Sequence, residues 1–216
     1  MAVMMMFKNL SFDELNALVK NERSMPFEQY FGEMSLPEED KTERIRIAQE
    51  LENKFLDIIA LLFTMAQSNR IDYEQIRQQI EDSYLFVIGK YVNVDTHLST
   101  YIKSFSYDII DSTKRHEKEP YYYSKDRARY MAENEVNTAI NHTRYVEAVN
   151  YGRTMKRWES IIDEVTRENH REINGKYIPI GNAFHVGDSW MMFPKDTSLG
   201  ADAKEIINCR CSITYS

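Results

Sequence analysis

HVGDSWMMFPKDTSLGADAKEIINCRCSITYS, residues 185–216, is where this chain stops reading as helix. Ser189–Phe193 and Ser212–Tyr215 are short β-prone pieces, and Gly, Pro and Asp punctuate the loop between them. A third such piece, Lys176–Ile180, follows the Asn174-Gly175 turn. Short strands at this spacing, behind a long helical stretch, predict a small α+β unit at the carboxy-terminal end. The two cysteines of the chain both lie here, as Cys209-Arg210-Cys211.

Upstream, helical signals dominate. Ser11 with Asp13 and Glu14 starts a first helix. Residues 24–36, with Pro26 and Gly32, read as a linker whose aromatics Phe27, Tyr30 and Phe31 look exposed. Pro37-Glu38-Glu39 opens a long helix, with Ile45, Ala48, Leu51, Phe55, Ile58, Ile59, Leu62, Phe63 and Ala66 on one stripe, ending at Ser68-Asn69. Further helices start at Asp72 and at about Asp95, joined by short connections that suit antiparallel neighbours in a bundle. The charged run Lys114–Pro120 is the best linker candidate, and a fifth helix runs from Ser124 or Asp126 to about Gly152. Its inward stripe, Ala128, Met131, Ala132, Ala139, Val146 and Val149, is interrupted by Glu135 and His142. The fold class is therefore α+β and predominantly α: a bundle-like helical region over residues 1–120 and a small α+β domain over 121–216.

Composition is that of a water-soluble chain, 43% hydrophobic and 28% charged, with a mean hydropathy of -0.56. The longest apolar run, Ile58–Phe63, is far too short for a membrane span. The opening MAVMMMFKNL has no basic n-region or small-residue cleavage site, and with two cysteines an intracellular, reduced setting is expected. Residues 1–120 hold 14 basic against 21 acidic residues while 121–216 hold 13 of each, so the net charge of -7 belongs to the front. That acidity argues against wrapping nucleic acid. Arg153, Lys156 and Arg157 form a local basic cluster that either touches a phosphate backbone or caps a solvated helix end.

Two constellations carry possible chemistry. On an extended segment Cys209 and Cys211 project to one side and could share a zinc ion with partners drawn from His170, His185, Asp163 and Glu135. Equally, both thiols could be small buried hydrophobes. Trp158, Asp163, Arg167 and His170 form the second group. On one continuous helix Asp163 would pair with Arg167, but Asp163 and His170 would stand about 10 Å apart along the axis, too far for one ion. A helix break is required for both to reach a metal. The face would support acid–base work or would simply pin the next loop. Glu135 is expected to find a cationic partner in Arg167 or Lys156. Tyr121-Tyr122-Tyr123 is expected to pack the linker onto the tail unit, and His185 with Trp190 to orient a loop.

These residues, in this order, resemble the phage head morphogenesis family, the minor head proteins similar to protein F of phage Mu. The resemblance covers about residues 125–216 and rests on Ala132–Val136 with Glu135, Lys156-Arg157-Trp158, Asp163, Arg167, His170 and Gly175. It continues through Phe184, Gly187, Pro194, Asp196, Gly200 and Ala201 to Asn208-Cys209-Arg210-Cys211. Glu133-Asn134 departs from the Arg-Thr often found in that family. The sequence ends five residues past Cys211, with none of the toxin or enzyme modules sometimes joined to this domain.

The resemblance implies a virion component of the phage head, assembled in the host cytoplasm. It would be associated with the portal protein and with capsid or scaffold subunits, and tied to DNA packaging or ejection, without membrane contact or established catalysis. In this reading Glu135, Trp158, Asp163, Arg167, Asn208 and Arg210 would hold the tail unit together, and His170, Cys209 and Cys211 are the candidate zinc ligands read from the residues themselves. The rival expectation is a metal-dependent nuclease or hydrolase built on Asp163, His170 and the cysteine pair.

Overall fold

The computed structural model describes residues 7–20 and 22–216; most of the apolar opening lies outside them. Contacts group the chain into two compact units, one of the described residues to Met25 with Ile47–Glu133, the other of Pro26–Arg46 with Asn134–Ser216. The units interleave along the chain, so contacts group residues differently from chain order at 120/121.

In the first unit, α1 (Phe12–Ala17) starts at Ser11 with both hydrogen bonds of a capping box. The long helix α3 (Glu38–Gln67) follows α2 (Phe27–Gly32) in the chain and contributes its part from Ile47 onward. It ends where Asn69, at φ +55°, lets the Arg70 N–H reach the Met65 carbonyl. Asp72 and Asp95 cap α4 (Tyr73–Ile88) and α5 (Thr96–Arg115) through their side chains. The stripes expected from periodicity are the buried ones: Leu51, Phe55, Ile59 and Leu62 of α3, Ile76, Ile80 and Tyr84 of α4, and Leu98 and Ile102 of α5. Phe55, Tyr84 and Phe105 meet edge-on or tilted at centroid distances of 5.6–6.4 Å.

The Lys114–Pro120 segment is a tied turn rather than a free linker. His116 bonds Glu119, and the Tyr123 hydroxyl donates to the Glu117 carbonyl. Tyr121-Tyr122-Tyr123 lies in a short 3-10 turn and packs within this first unit: Tyr123 meets Phe7 and Phe63, and Tyr122 stacks on His116.

The second unit departs further from expectation. Residues 27–32 form α2, and Phe27, Tyr30 and Phe31 are buried in it, so these aromatics are core and not an exposed patch. Helix α6 (Lys125–Asn150) is not striped: every residue from Met131 to Thr143 is buried, polar ones included, whereas Val149 is exposed. After it come β1 (Met155–Glu159), α7 (Glu168–Glu172), β2 (Tyr177–Pro179), β3 (Phe184–Val186), β4 (Ser189–Met191), α8 (Ala203–Ile206) and β5 (Ser212–Tyr215). Strand β1 is the centre of an antiparallel sheet of order β2-β1-β5, with Trp158 opposite Ile213, and β3 pairs with β4 as a separate hairpin. His185 and Trp190 face each other across that hairpin, ring centroids 4.6 Å apart.

Inside this unit the polar residues of α6 have a defined task. Asn137 Nδ2 donates to the Cys209 carbonyl at 2.9 Å, and Asn141 Nδ2 to those of Cys211 and Pro194 at 3.2 Å. Both amide oxygens accept from the buried Arg44 guanidinium at the start of α3. Removing a group from such a network strands its buried partners at about 1–3 kcal/mol. Asn137→Ala is expected to lower the unfolding free energy by about that much, read as a lower urea midpoint at an unchanged slope; an unchanged midpoint would contradict the role given to Asn137.

Candidate functional site

The site is assembled where α7, the loop after α8 and the central strand meet. Ser160 leaves β1, and residues 160–166 are non-helical, so the continuous helix expected for Asp163, Arg167 and His170 is broken. Arg167 stands at the N-cap of α7. Asp163 does not pair with Arg167. Its carboxylate accepts from Thr166 Oγ1, at 2.6 Å, and from Arg210, while Arg167 donates to the Ile207 carbonyl. Burial disfavours the charged form of Asp163, but the hydrogen bonds from Thr166 and Arg210 outweigh it and hold the carboxyl below its usual range. Arg210 also reaches Glu33 at 3.2 Å, so one buried cation joins the α2 segment to the loop before α7.

The break allows His170 to turn inward. It is 2% exposed, with Nδ1 3.3 Å from Cys211 Sγ and 3.7 Å from Cys209 Sγ. Its Nε2 lies 3.0 Å from Glu205 Oε2. The ligating atoms of His170, Cys209 and Cys211 all lie within 4.8 Å of one another, and all three residues are buried. Neither cysteine is in a disulfide. Burial alone would push the thiols up and the imidazole down. A hydrogen bond from Cys211 and then the close imidazole reverse this for Cys209, which is held well below a free thiol, and His170, against its burial, rises beside Cys209. For Cys211, burial and the neighbouring Cys209 both act upward.

The surroundings fix these groups. Trp158 is fully buried, edge-on to His170 at 5.8 Å and to Phe184 at 5.2 Å. Its indole N–H donates to Ser160 Oγ, which donates onward to the His170 carbonyl at 2.7 Å. Asn208 has φ +57°, a left-handed conformation that asparagine tolerates better than most residues. There its N–H meets Asn134 Oδ1, which also accepts from buried Lys195. Glu135 is buried in the same stretch of α6.

Sequence reasoning missed Glu205 and Asn169. Glu205 is 2% exposed and accepts from Asn169 Nδ2 at 2.7 Å as well as facing His170. The signal available was a lone carboxylate four residues before Cys209. Gly187 completes the arrangement: at φ +59°, a Cβ there would stand 2.4 Å from Asn169 Nδ2 and 2.8 Å from Glu205 Oε1.

Of the proposed phosphate contacts, Lys156 must be withdrawn. It alternates inward on β1 beside Trp158, is fully buried and donates to the Met192 carbonyl at 2.6 Å. Arg153 and Arg157 are exposed. Neither Lys156 nor Arg167 serves as the cation expected for Glu135, since their heads bond to the Met192 and Ile207 carbonyls. Asp163 is not one of the ligating groups of the His170–Cys209–Cys211 cluster. Among the described residues no helix is long and apolar enough to cross a membrane.

The family of phage Mu protein F like proteins matches residues 64–214, and the chain belongs to it. The match begins well before the tail motifs, at the end of α3, and takes in α4 and α5 of the helical region. No curated protein and no solved structure matches the chain. The family is one of phage head morphogenesis proteins.

Two outcomes follow from this geometry. Gly187→Ala must hold an alanine in the left-handed region, at about 1–2 kcal/mol, and also displace the Glu205–Asn169 pair. A loss of at least that size is expected in urea unfolding, and a neutral substitution would contradict the close approach. For Lys156, burial lowers the ammonium to about 8, opposed by Asp196. Between there and the unfolded value of about 10.4, the unfolded chain binds more protons, so stability rises with pH. Relative to Lys156→Met, the wild-type chain should gain unfolding free energy from pH 8 to pH 10.5; parallel pH profiles would show the ammonium to be unperturbed.

Proposed function

We propose that this protein is a minor head protein that joins the head at its portal vertex during assembly and takes part in DNA packaging or ejection. The observation that supports this reading is the family match, which covers the later part of the helical region and nearly all of the tail unit. The acidic helical region, 1–120, would serve as the docking part and the tail unit, 121–216, as the family's own domain. Portal and capsid or scaffold subunits are its partners in this reading. The virion head is its location, reached from the host cytoplasm. Any DNA contact would fall to the exposed Arg153 and Arg157.

Co-expression of a tagged chain with the portal and capsid proteins of its phage tests the reading. The chain should sediment with portal-containing heads and at a copy number well below that of the major capsid protein. Its absence from those heads, with the chain soluble and folded in the supernatant, would overturn the assignment.

A further inference from the structure

We infer that His170, Cys209 and Cys211 hold a zinc ion through Nδ1 and two thiolates, with Glu205 buttressing the imidazole from behind, as a structural pin of the tail unit. The inference is independent of any portal contact.

Spacing is the first support. With Zn–S near 2.3 Å and Zn–N near 2.0 Å, the edges of a tetrahedral site are about 3.6 Å between nitrogen and sulfur and about 3.8 Å between sulfurs. His170 Nδ1 stands 3.3 Å and 3.7 Å from the two sulfurs, and all three atoms fall within 4.8 Å. The nitrogen–sulfur spacings thus match those of a zinc site. Three groups brought from α7 and the Cys-Arg-Cys segment, 41 and 39 residues apart in the chain, would not converge at this spacing by helical or strand periodicity.

The second support is the far side of the ring. A metal-bound imidazole directs one nitrogen to the ion and donates from the other to a carboxylate or carbonyl. Glu205 Oε2 lies 3.0 Å from Nε2, which assigns an N–H to Nε2 and leaves Nδ1, facing the sulfurs, as the nitrogen that would take the ion. The carboxylate is itself held by Asn169, and Gly187 gives both the clearance to approach. Two small apolar thiols would need none of this.

Charge and softness choose the metal. Two thiolates cancel the charge of a divalent ion, which suits a site walled by Trp158, Phe184 and Val186. Thiolate with imidazole favours zinc over calcium or magnesium, which take oxygen ligands. Each ligating residue is no more than 3% exposed, which fits a structural ion rather than one that meets a substrate.

The test uses the full chain expressed in zinc- or cobalt-supplemented medium. Elemental analysis should find one zinc per chain, and the cobalt form should show the visible bands of a tetrahedral ion with a near-ultraviolet sulfur-to-cobalt transition. Cys209→Ser with Cys211→Ser should abolish both. Because that variant could fail to fold, Glu205→Gln supplies a second reading. Glu205 is not a ligand, so the sulfur-to-cobalt band should persist while zinc affinity falls about 10–100-fold in chelator competition. Wild-type protein without stoichiometric metal, or metal retained in the folded double-serine variant, would overturn the assignment. So would an unchanged zinc affinity in Glu205→Gln, which would remove the carboxylate from the site.

Discussion

The tail unit depends on a single buried guanidinium. Arg44 donates from both terminal nitrogens to Asn137 and Asn141, one helical turn apart on α6. An amide whose oxygen is taken must present its NH2 elsewhere, and both asparagines present theirs to the carbonyls of Cys209, Cys211 and Pro194. The arginine thus sets the orientation of two amides, and the amides set the path of the Cys-Arg-Cys segment. Arg44 has neutral partners here, and burial, opposed by nearby Asp40, lowers its guanidinium to about 10. That loss of hydration, together with a buried Nε that has no hydrogen-bond partner among the described residues, is the cost of a strict geometry at the two terminal nitrogens.

The same economy governs the other buried ions. Lys156 ends on a backbone carbonyl, Lys195 on Asn134, and Arg210 between Asp163 and Glu33. Glu205 is shared by Asn169 and His170. An apolar cluster of Trp158, Phe184, Val186, Met191, Phe193 and Ile213 surrounds the central strand, but many of the contacts joining separate segments are polar. Buried ion pairs contribute little net stability against apolar replacements, and their value lies in excluding wrong arrangements. Beyond α6 and the start of α3 the unit is made of three- to five-residue strands and one- to two-turn helices, so side-chain networks carry much of the task of defining it.

How much was legible in the sequence follows from these facts. The helices of the first unit were visible because their ends are local chemistry: Ser11, Asp72 and Asp95 cap through bonds to residues three positions on. Strand β1 was hidden because its inward positions are Lys156 and Trp158, and a buried lysine imitates a polar position. Helix α2 was hidden by its shortness between Pro26 and Gly32, and its aromatics looked exposed because their partners are distant in sequence. The Asp163–Arg167–His170 spacing suggested a helix for the converse reason: a period of three and four also arises from a loop followed by one turn. Separation along the chain hid Glu205 and Asn169 in the same way.

What the motif residues share is geometric rather than chemical. Asn208 takes a left-handed conformation, Gly187 keeps clear of Glu205, Trp158 fills the centre, and Arg210 closes on Asp163. Asn208 and Arg210 stand within four residues of the start of β5, and Trp158 pairs with Ile213 of that strand. Strand β5 begins at Ser212, directly after Cys211, and pairs with β1 along Lys156–Glu159. Docking of the Cys-Arg-Cys segment onto α6 and addition of the last strand are therefore one event, because a register slip in β5 would move Cys211 off Asn141 and away from His170. A one-residue slip would also turn Ile213 outward and expose its face. Register, carbonyl clamp and the cysteine–histidine cluster enforce one another, so motifs scattered over some eighty residues describe a single closed geometry.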